Sequence, residues 1–184
     1  MQNKKFRAFF AVDLPENLKR ETEHFIALLR QPEANKNIVW TKTENLHITL
    51  KFLGNISQQQ CEQILPAVKA AISKCPKFKL KLTKLMFFPS ERMPKIIALF
   101  PSPLDKLVTL ACKIEEQVVN YDIKAEARAF KPHLTLARIK RQGAYKAKDI
   151  ILPQLGFEIQ AITLFRSETS HEGSCYTPLE KIEL

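Results

Sequence analysis

The phrase His-x-Thr-Leu occurs twice in this chain, as His47-Ile48-Thr49-Leu50 and as His133-Leu134-Thr135-Leu136. Each copy lies in an alternating or apolar stretch, the pattern of a β-strand. Side chains two residues apart on a strand point the same way, so each copy projects one imidazole and one hydroxyl onto one surface. The copies fall in different halves of the chain, and the elements around them run strand, helix, strands, then strands, helix, strands. That order suggests an α+β protein with two related lobes. If the lobes pack face to face, two imidazoles and two hydroxyls converge on one cleft.

Hydrophobic periodicity places the remaining elements. Residues 6–12 are apolar on both faces and predict a central strand. Asp13-Leu14-Pro15-Glu16 opens a helix to about Arg30, with Leu18, Phe25, Ile26 and Leu29 inward. Residues 38–40 form a short strand. Residues 46–52 alternate most clearly, with Leu46, Ile48, Leu50 and Phe52 on one face and His47, Thr49 and Lys51 on the other; Gly54-Asn55 should end the strand. Ser57 and Gln60 form a capping box. The helix after them buries Cys61, Ile64, Leu65, Val68 and Ile72, and Pro66 should kink or shorten it. Residues 78–82 and 96–100 read as strands, and Ser102-Pro103 opens a helix with Leu104, Leu107, Ala111, Ile114 and Val118 inward. After the second motif come a basic loop at 141–148, a strand at 157–165 and a final strand from Tyr176. No wider repeat is visible in the residues.

Imidazole titrates near neutral pH, so one neutral histidine can take a proton from water while a protonated one gives a proton to a leaving oxygen. Phosphodiester cleavage needs both acts, and a hydroxyl beside each ring can donate to a phosphoryl oxygen. Other chemistry fits less well. No third ligand or H-E-x-x-H run supports zinc, so no metal is expected. No G-x-S-x-G elbow supports a serine triad, and no glycine-rich loop cradles a nucleotide cofactor. His24, in a polar helical stretch, and His171, in a Ser/Glu/Gly loop, read as solvated.

The net charge of +10 favours polyanionic partners, nucleic acid first among them. Four cysteines without a C-x-x-C pair read as small, buried or half-buried thiols in a reducing compartment. No signal-peptide core or membrane-spanning run is read, which predicts a cytoplasmic protein with no membrane partner.

The two motif blocks, Glu44-Asn45-Leu46-His47-Ile48-Thr49-Leu50-Lys51-Phe52-Leu53-Gly54 and Phe130-Lys131-Pro132-His133-Leu134-Thr135-Leu136-Ala137-Arg138, resemble those of the 2H phosphoesterase superfamily. Within it they are similar to the RNA 2′,3′-cyclic phosphodiesterases once called 2′-5′ RNA ligases. The resemblance spans nearly the whole chain, including Arg7-Ala8-Phe9-Phe10-Ala11-Val12-Asp13-Leu14-Pro15, Phe88-Pro89 and Leu164-Phe165-Arg166-Ser167 with Tyr176. Ala98, where many relatives carry Trp, and Ala129, where Pro is frequent, depart from the pattern.

The resemblance implies two pseudo-symmetric lobes, each an antiparallel sheet with outer helices, around a positively lined cleft. Residues 1–184 would form one bilobal domain, a monomer. It implies His47 as proton donor, His133 as proton acceptor, and Thr49, Thr135 and Arg138 on the phosphate. The reaction would open an RNA 2′,3′-cyclic phosphate to a 2′-phosphate with no metal or other cofactor. On simple alternation Arg138 shares a face with Leu134 and Leu136, and it reaches the cleft only where the strand twists, bulges or ends. Two rival readings keep part of this picture. One is a 2H enzyme acting on 2′-5′-linked oligonucleotides or small cyclic nucleotides. The other is a module that binds RNA 3′ ends without turnover.

Overall fold

The computed structural model describes residues 5–30, 37–140, 151–170 and 173–184. The basic stretch at 141–148 and His171 lie outside the described residues. The strands are β1 (Phe6–Asp13), β2 (Ile38–Trp40), β3 (His47–Ile56), β4 (Phe78–Phe88), β5 (Ile96–Ser102), β6 (Leu134–Ile139), β7 (Leu155–Ile159), β8 (Ala161–Ser170) and β9 (Gly173–Glu183). Among the described residues three α-helices, α1 (Glu16–Leu29), α2 (Gln58–Ile72) and α3 (Asp105–Val118), intervene. The sheet runs β7-β4-β5-β6-β3-β1-β8-β9, with β2 added on β6, and the neighbours pair antiparallel.

The two-lobe expectation holds. One half is β7-β4-β5-β6 and the other β3-β1-β8-β9, and a motif strand is the innermost strand of each. The halves are stitched by one ladder pair between β3 and β6 among the described residues, Ile48 with Leu134. These are the x residues of the two motifs. Residues 157–165, read from sequence as one strand, are two. Only Gln160 separates β7, at one edge beside β4, from β8, which pairs with β1 near the other. A one-residue step between distant strands requires the sheet to curl until its two ends approach. Helix cover is exchanged: α1 packs on β7, whereas α3 packs on β3 and α2 packs on α3.

The helices follow their apolar stripes. In α1 the buried residues include Leu18, Phe25, Ile26 and Leu29. The Ser57 hydroxyl accepts from the Gln60 amide at 3.1 Å, and the Gln60 side chain accepts from the Ser57 amide at 3.0 Å, completing the capping box. Pro66 does not shorten α2, which stays helical for 15 residues. The proline sits on the exposed face, where water can serve the carbonyl left without its amide partner. In α3, Leu107, Ala111, Ile114 and Val118 are buried, but Leu104 is exposed at the N-cap, outside the packed turns. Cys61 is buried and Cys75 half-buried as expected, whereas Cys112 and Cys175 are exposed.

The alternation expected along β3 holds as far as Leu50 and then breaks. Phe10 pairs with Lys51 and Ala11 with Thr49, so Leu50 is an extra residue, a β-bulge; a second bulge falls at Leu53. A bulge reverses the facing of the residues beyond it. Lys51 therefore turns into the interior, 5% exposed, and Phe52 turns out of it, 58% exposed. The strand also runs past Gly54 to Ile56, because glycine accepts the φ of +71° there. Lys51 Nζ donates to the Lys124 carbonyl at 3.0 Å and pairs with Glu115 of α3.

That buried cation ties β3 to its covering helix. Removing one partner of a buried pair leaves a stranded charge, whereas replacing the charge with an apolar side chain of similar length does not. Glu115→Ala should lower unfolding free energy by about 2 kcal/mol, below the fully buried range because the Glu115 side chain is 28% exposed. Lys51→Met should cost less than Glu115→Ala. Urea unfolding of both variants checks the order; equal or inverted losses contradict it.

Candidate active site

His47 opens β3 one residue after a 3-10 turn at Thr43–Asn45, and its Nδ1 lies 2.8 Å from the Asn45 carbonyl. His133 stands one residue before β6, and its Nδ1 lies 2.8 Å from the Lys131 carbonyl. A carbonyl only accepts, so in both rings Nδ1 carries hydrogen and donates. The neutral ring then keeps its lone pair on Nε2. Both motifs use the carbonyl two residues upstream, so the rings are oriented by the same local device. Sequence reading missed it because a backbone carbonyl leaves no residue signature: Asn45 and Lys131 share an offset but no side-chain chemistry.

Ile48 and Leu134 pair antiparallel, so the residues flanking them fall together at the seam. Continuing that register sets His47 across from Thr135 and Thr49 across from His133. All four line one cleft of about 640 Å³. The Thr49 hydroxyl is 3.0 Å from His47 Nε2 and donates to it when the ring is neutral.

Arg138 also lines the cleft. Ile97 pairs with Ala137 and Ala98 with Thr135, so Leu136 is a bulged residue. This is the irregularity that simple alternation lacked. The Leu136 carbonyl is taken up by the Thr41 amide at 2.9 Å. Leu50 and Leu136 are the same position of the two motifs, and each bulge reverses the facing beyond it. The fifth residue after each histidine, Phe52 in one lobe and Arg138 in the other, thereby joins the cleft.

Aromatic rings flank each imidazole. Phe9 and Tyr176 lie 4.9 and 5.1 Å from the His47 ring, centroid to centroid. Phe100 and Phe88 lie nearly parallel to the His133 ring at 6.0 and 6.4 Å. Sequence reading assigned these four no role, although alternation from Phe10 and Val12 in the core places Phe9 on the opposite face. Asn45 helps close the His47 side, its Nδ2 donating to the Ser174 carbonyl at 2.7 Å.

The electrostatics are one-sided. Arg7, Lys42 and Arg138 line the cleft, and no carboxylate does among the described residues. Burial pushes the His47 pKa below its usual value near 6.5. The Asn45 carbonyl and the Asp13 carboxylate oppose that shift, while His133 and Arg138 reinforce it. That His133 acts on the His47 ring is what a shared pocket requires. Among the described residues no group of three His, Cys, Asp or Glu is placed to hold a metal, and no helix is long and apolar enough to cross a membrane. His24, by contrast, is exposed on α1.

Comparison with known proteins places the chain in a family. The LigT like Phosphoesterase family matches twice, over residues 12–98 and 97–176, and each match contains one His-x-Thr-Leu copy. The chain belongs to this family of 2H phosphoesterases. It is 31% identical to an RNA 2′,3′-cyclic phosphodiesterase of Methanocaldococcus jannaschii, over 95% of this chain and 99% of that protein. The crystal structure of a Thermus thermophilus protein superposes with a TM-score of 0.82 at 27% identity, covering 97% of both chains. Escherichia coli LigT complexed with 3′-AMP gives a TM-score of 0.80 at 26% identity, covering 98% of this chain and 99% of that one. The same family model thus matches each half, a likeness that the sequence shows only in the motif and the order of elements.

The sign of each electrostatic effect is testable by NMR titration of the His47 ring. The ring should titrate below 6.5 in the free protein. Arg138→Gln should raise the midpoint, Asp13→Asn should lower it, and added inorganic phosphate should raise it. A midpoint indifferent to all three contradicts the electrostatic account.

Proposed function

We propose that this chain hydrolyses the 2′,3′-cyclic phosphate end of RNA to a 2′-phosphate, with His47 and His133 as acid and base and no metal ion. His133 Nε2 takes a proton from water as the oxygen attacks phosphorus. The bond from phosphorus to the 3′-oxygen breaks, and His47 Nε2 gives that oxygen its proton. One proton enters His133 and one leaves His47, so solvent exchange restores the pair. Thr49 and Thr135 donate to the non-bridging oxygens, and Arg138 balances the charge that grows on them. The whole chain is the working unit, one domain, because each lobe contributes one histidine and one threonine.

The observation that carries this reading is the meeting of two identically oriented imidazoles in one cation-lined cleft that no carboxylate lines among the described residues. A phosphodiester needs a donor and an acceptor on opposite sides of one phosphorus, and this site supplies two separate rings. The names and ligands of the relatives support the same substrate class: an RNA 2′,3′-cyclic phosphodiesterase at 31% identity, and LigT bound to 3′-AMP.

His47 must enter the reaction protonated, although burial favours its neutral form in the free protein. An arriving phosphate anion reverses that bias, because opposite charge favours the imidazolium. The alkaline limb of kcat/KM reports the free enzyme and should fall at lower pH than the alkaline limb of kcat, which reports the complex. Coincident limbs would remove the role assigned to the substrate anion.

The decisive assay is hydrolysis of a cyclic-phosphate-ended oligonucleotide in EDTA, with product analysis for the 2′-phosphate. The parent should turn over at the same rate with and without the chelator. His47→Ala and His133→Ala should each lose about 10²- to 10⁴-fold in kcat. A variant that keeps the parent rate cannot have lost its acid or base.

A further inference from the structure

Asn45 orients the His47 ring through its carbonyl, and its side chain makes a second, longer-range bond. The residue is buried, and its Nδ2 donates to the Ser174 carbonyl at 2.7 Å, a tie across 129 positions of the chain. A carbonyl only accepts, so the amide faces Ser174 with its nitrogen. That leaves Oδ1 buried with no hydrogen-bond partner among the described residues. A buried acceptor without a partner is destabilising, so stability alone does not account for an amide here. Ser174 and Tyr176 lie two residues apart on β9, the last strand of the sheet, and both line the cleft. The Tyr176 ring stands at 88° to the His47 ring, 5.1 Å away, and 5.0 Å from Phe9. The corresponding residue of the other lobe, Lys131, is exposed, with its Nζ 6.0 Å from the centre of the Phe88 ring.

We infer that Asn45 is a positioning residue: its side chain pins the start of β9 to the turn before β3, so that Tyr176 closes over the imidazole that the Asn45 carbonyl aims. For its consequence in catalysis the inference rests on the hydrolase reading. Phe9 and Tyr176 are the aromatic wall beside His47, and burial is the largest influence on that ring. Freeing β9 from the turn admits water to the ring and favours its charged form. The charged groups that act on His47 are Asp13 on β1, His133 before β6 and Arg138 on β6, and Arg7 and Lys42 line the same cleft. None of them is bonded to the Asn45 side chain among the described residues, so removing the amide changes the cover of the ring and leaves those charges in place.

NMR titration of the His47 ring tests the tie without turnover. Asn45→Ala should raise the midpoint from its lowered parental value toward 6.5, and Tyr176→Ala should do the same. In the double variant the two rises should not add, because both remove the same cover. A merely structural asparagine would lower the unfolding temperature and leave the midpoint of the folded protein where it was. On a cyclic-phosphate-ended oligonucleotide, Asn45→Ala should lower kcat about tenfold with KM near the parent's. An unmoved midpoint in Asn45→Ala, additive rises, or a parental kcat in that variant would overturn the inference. Should Asn45→Ala fail to fold, Tyr176→Ala and the parent decide. A raised midpoint in Tyr176→Ala together with slow solvent exchange of the parent's Asn45 side-chain amide sustains the inference. An unmoved midpoint there, or an amide exchanging as fast as an exposed one, ends it. Should the parent hydrolyse nothing, the hydrolase reading fails, and the titration still judges the positioning role by itself.

Discussion

The pairing of Ile48 with Leu134 is the contact on which the site depends. Both side chains are fully buried, and together they form the ladder pair that joins the two half-sheets. Burying each is worth about 1.5–3 kcal/mol. Because side chains alternate along a strand, drawing Ile48 and Leu134 into the core turns the histidine and threonine beside each of them toward the opposite face. The seam and the reactive surface are thus two sides of the same four-residue phrase. The neighbouring strands β1 and β5 hold β3 and β6 in place, and the Ile48–Leu134 pair sets the register in which the imidazoles meet.

Two bulges finish what the seam begins. Leu50 and Leu136 each interrupt their ladder at the fourth motif position. Without them the residues beyond would keep strict alternation, leaving Lys51 in the cleft and Phe52 and Arg138 on the core side. With them Lys51 enters the interior, where the Lys124 carbonyl and Glu115 satisfy it, and Phe52 and Arg138 face the cleft. The same distortion therefore serves stability on one side of the sheet and recognition on the other. The lobes are alike in backbone and unlike in what they present to the cleft.

The electrostatic state of the cleft couples binding to protonation. A half-buried imidazole near Arg138 and a second histidine favours its neutral form, and the Thr49 hydroxyl is placed to donate to it. A phosphate anion offsets the cationic surroundings and favours the imidazolium. Under the proposed mechanism, the ligand that needs the proton would itself charge the acid. The fixed Nδ1–carbonyl bonds keep Nε2 as the nitrogen that changes.

The recurrence of His-x-Thr-Leu, the amphipathic stripes of three helices and the Ser57 capping box were legible in the chain because each is a local pattern. From them the α+β class, the paired histidines and the companion threonines followed. Local pattern also misled: alternation assigned Lys51 and Phe52 to the wrong faces, and one strand was read across Gln160 where two distant strands meet. Bulges and edge-to-edge steps depend on which strand lies opposite, and long-range pairing leaves no periodicity within a segment. The chain by itself determined which chemical groups are available and which face of each motif is apolar. Only the tertiary structure decided that the two motifs share a seam, that Arg138 and Phe52 reach the cleft, and that two upstream carbonyls orient the rings, because those outcomes rest on contacts between residues far apart along the chain.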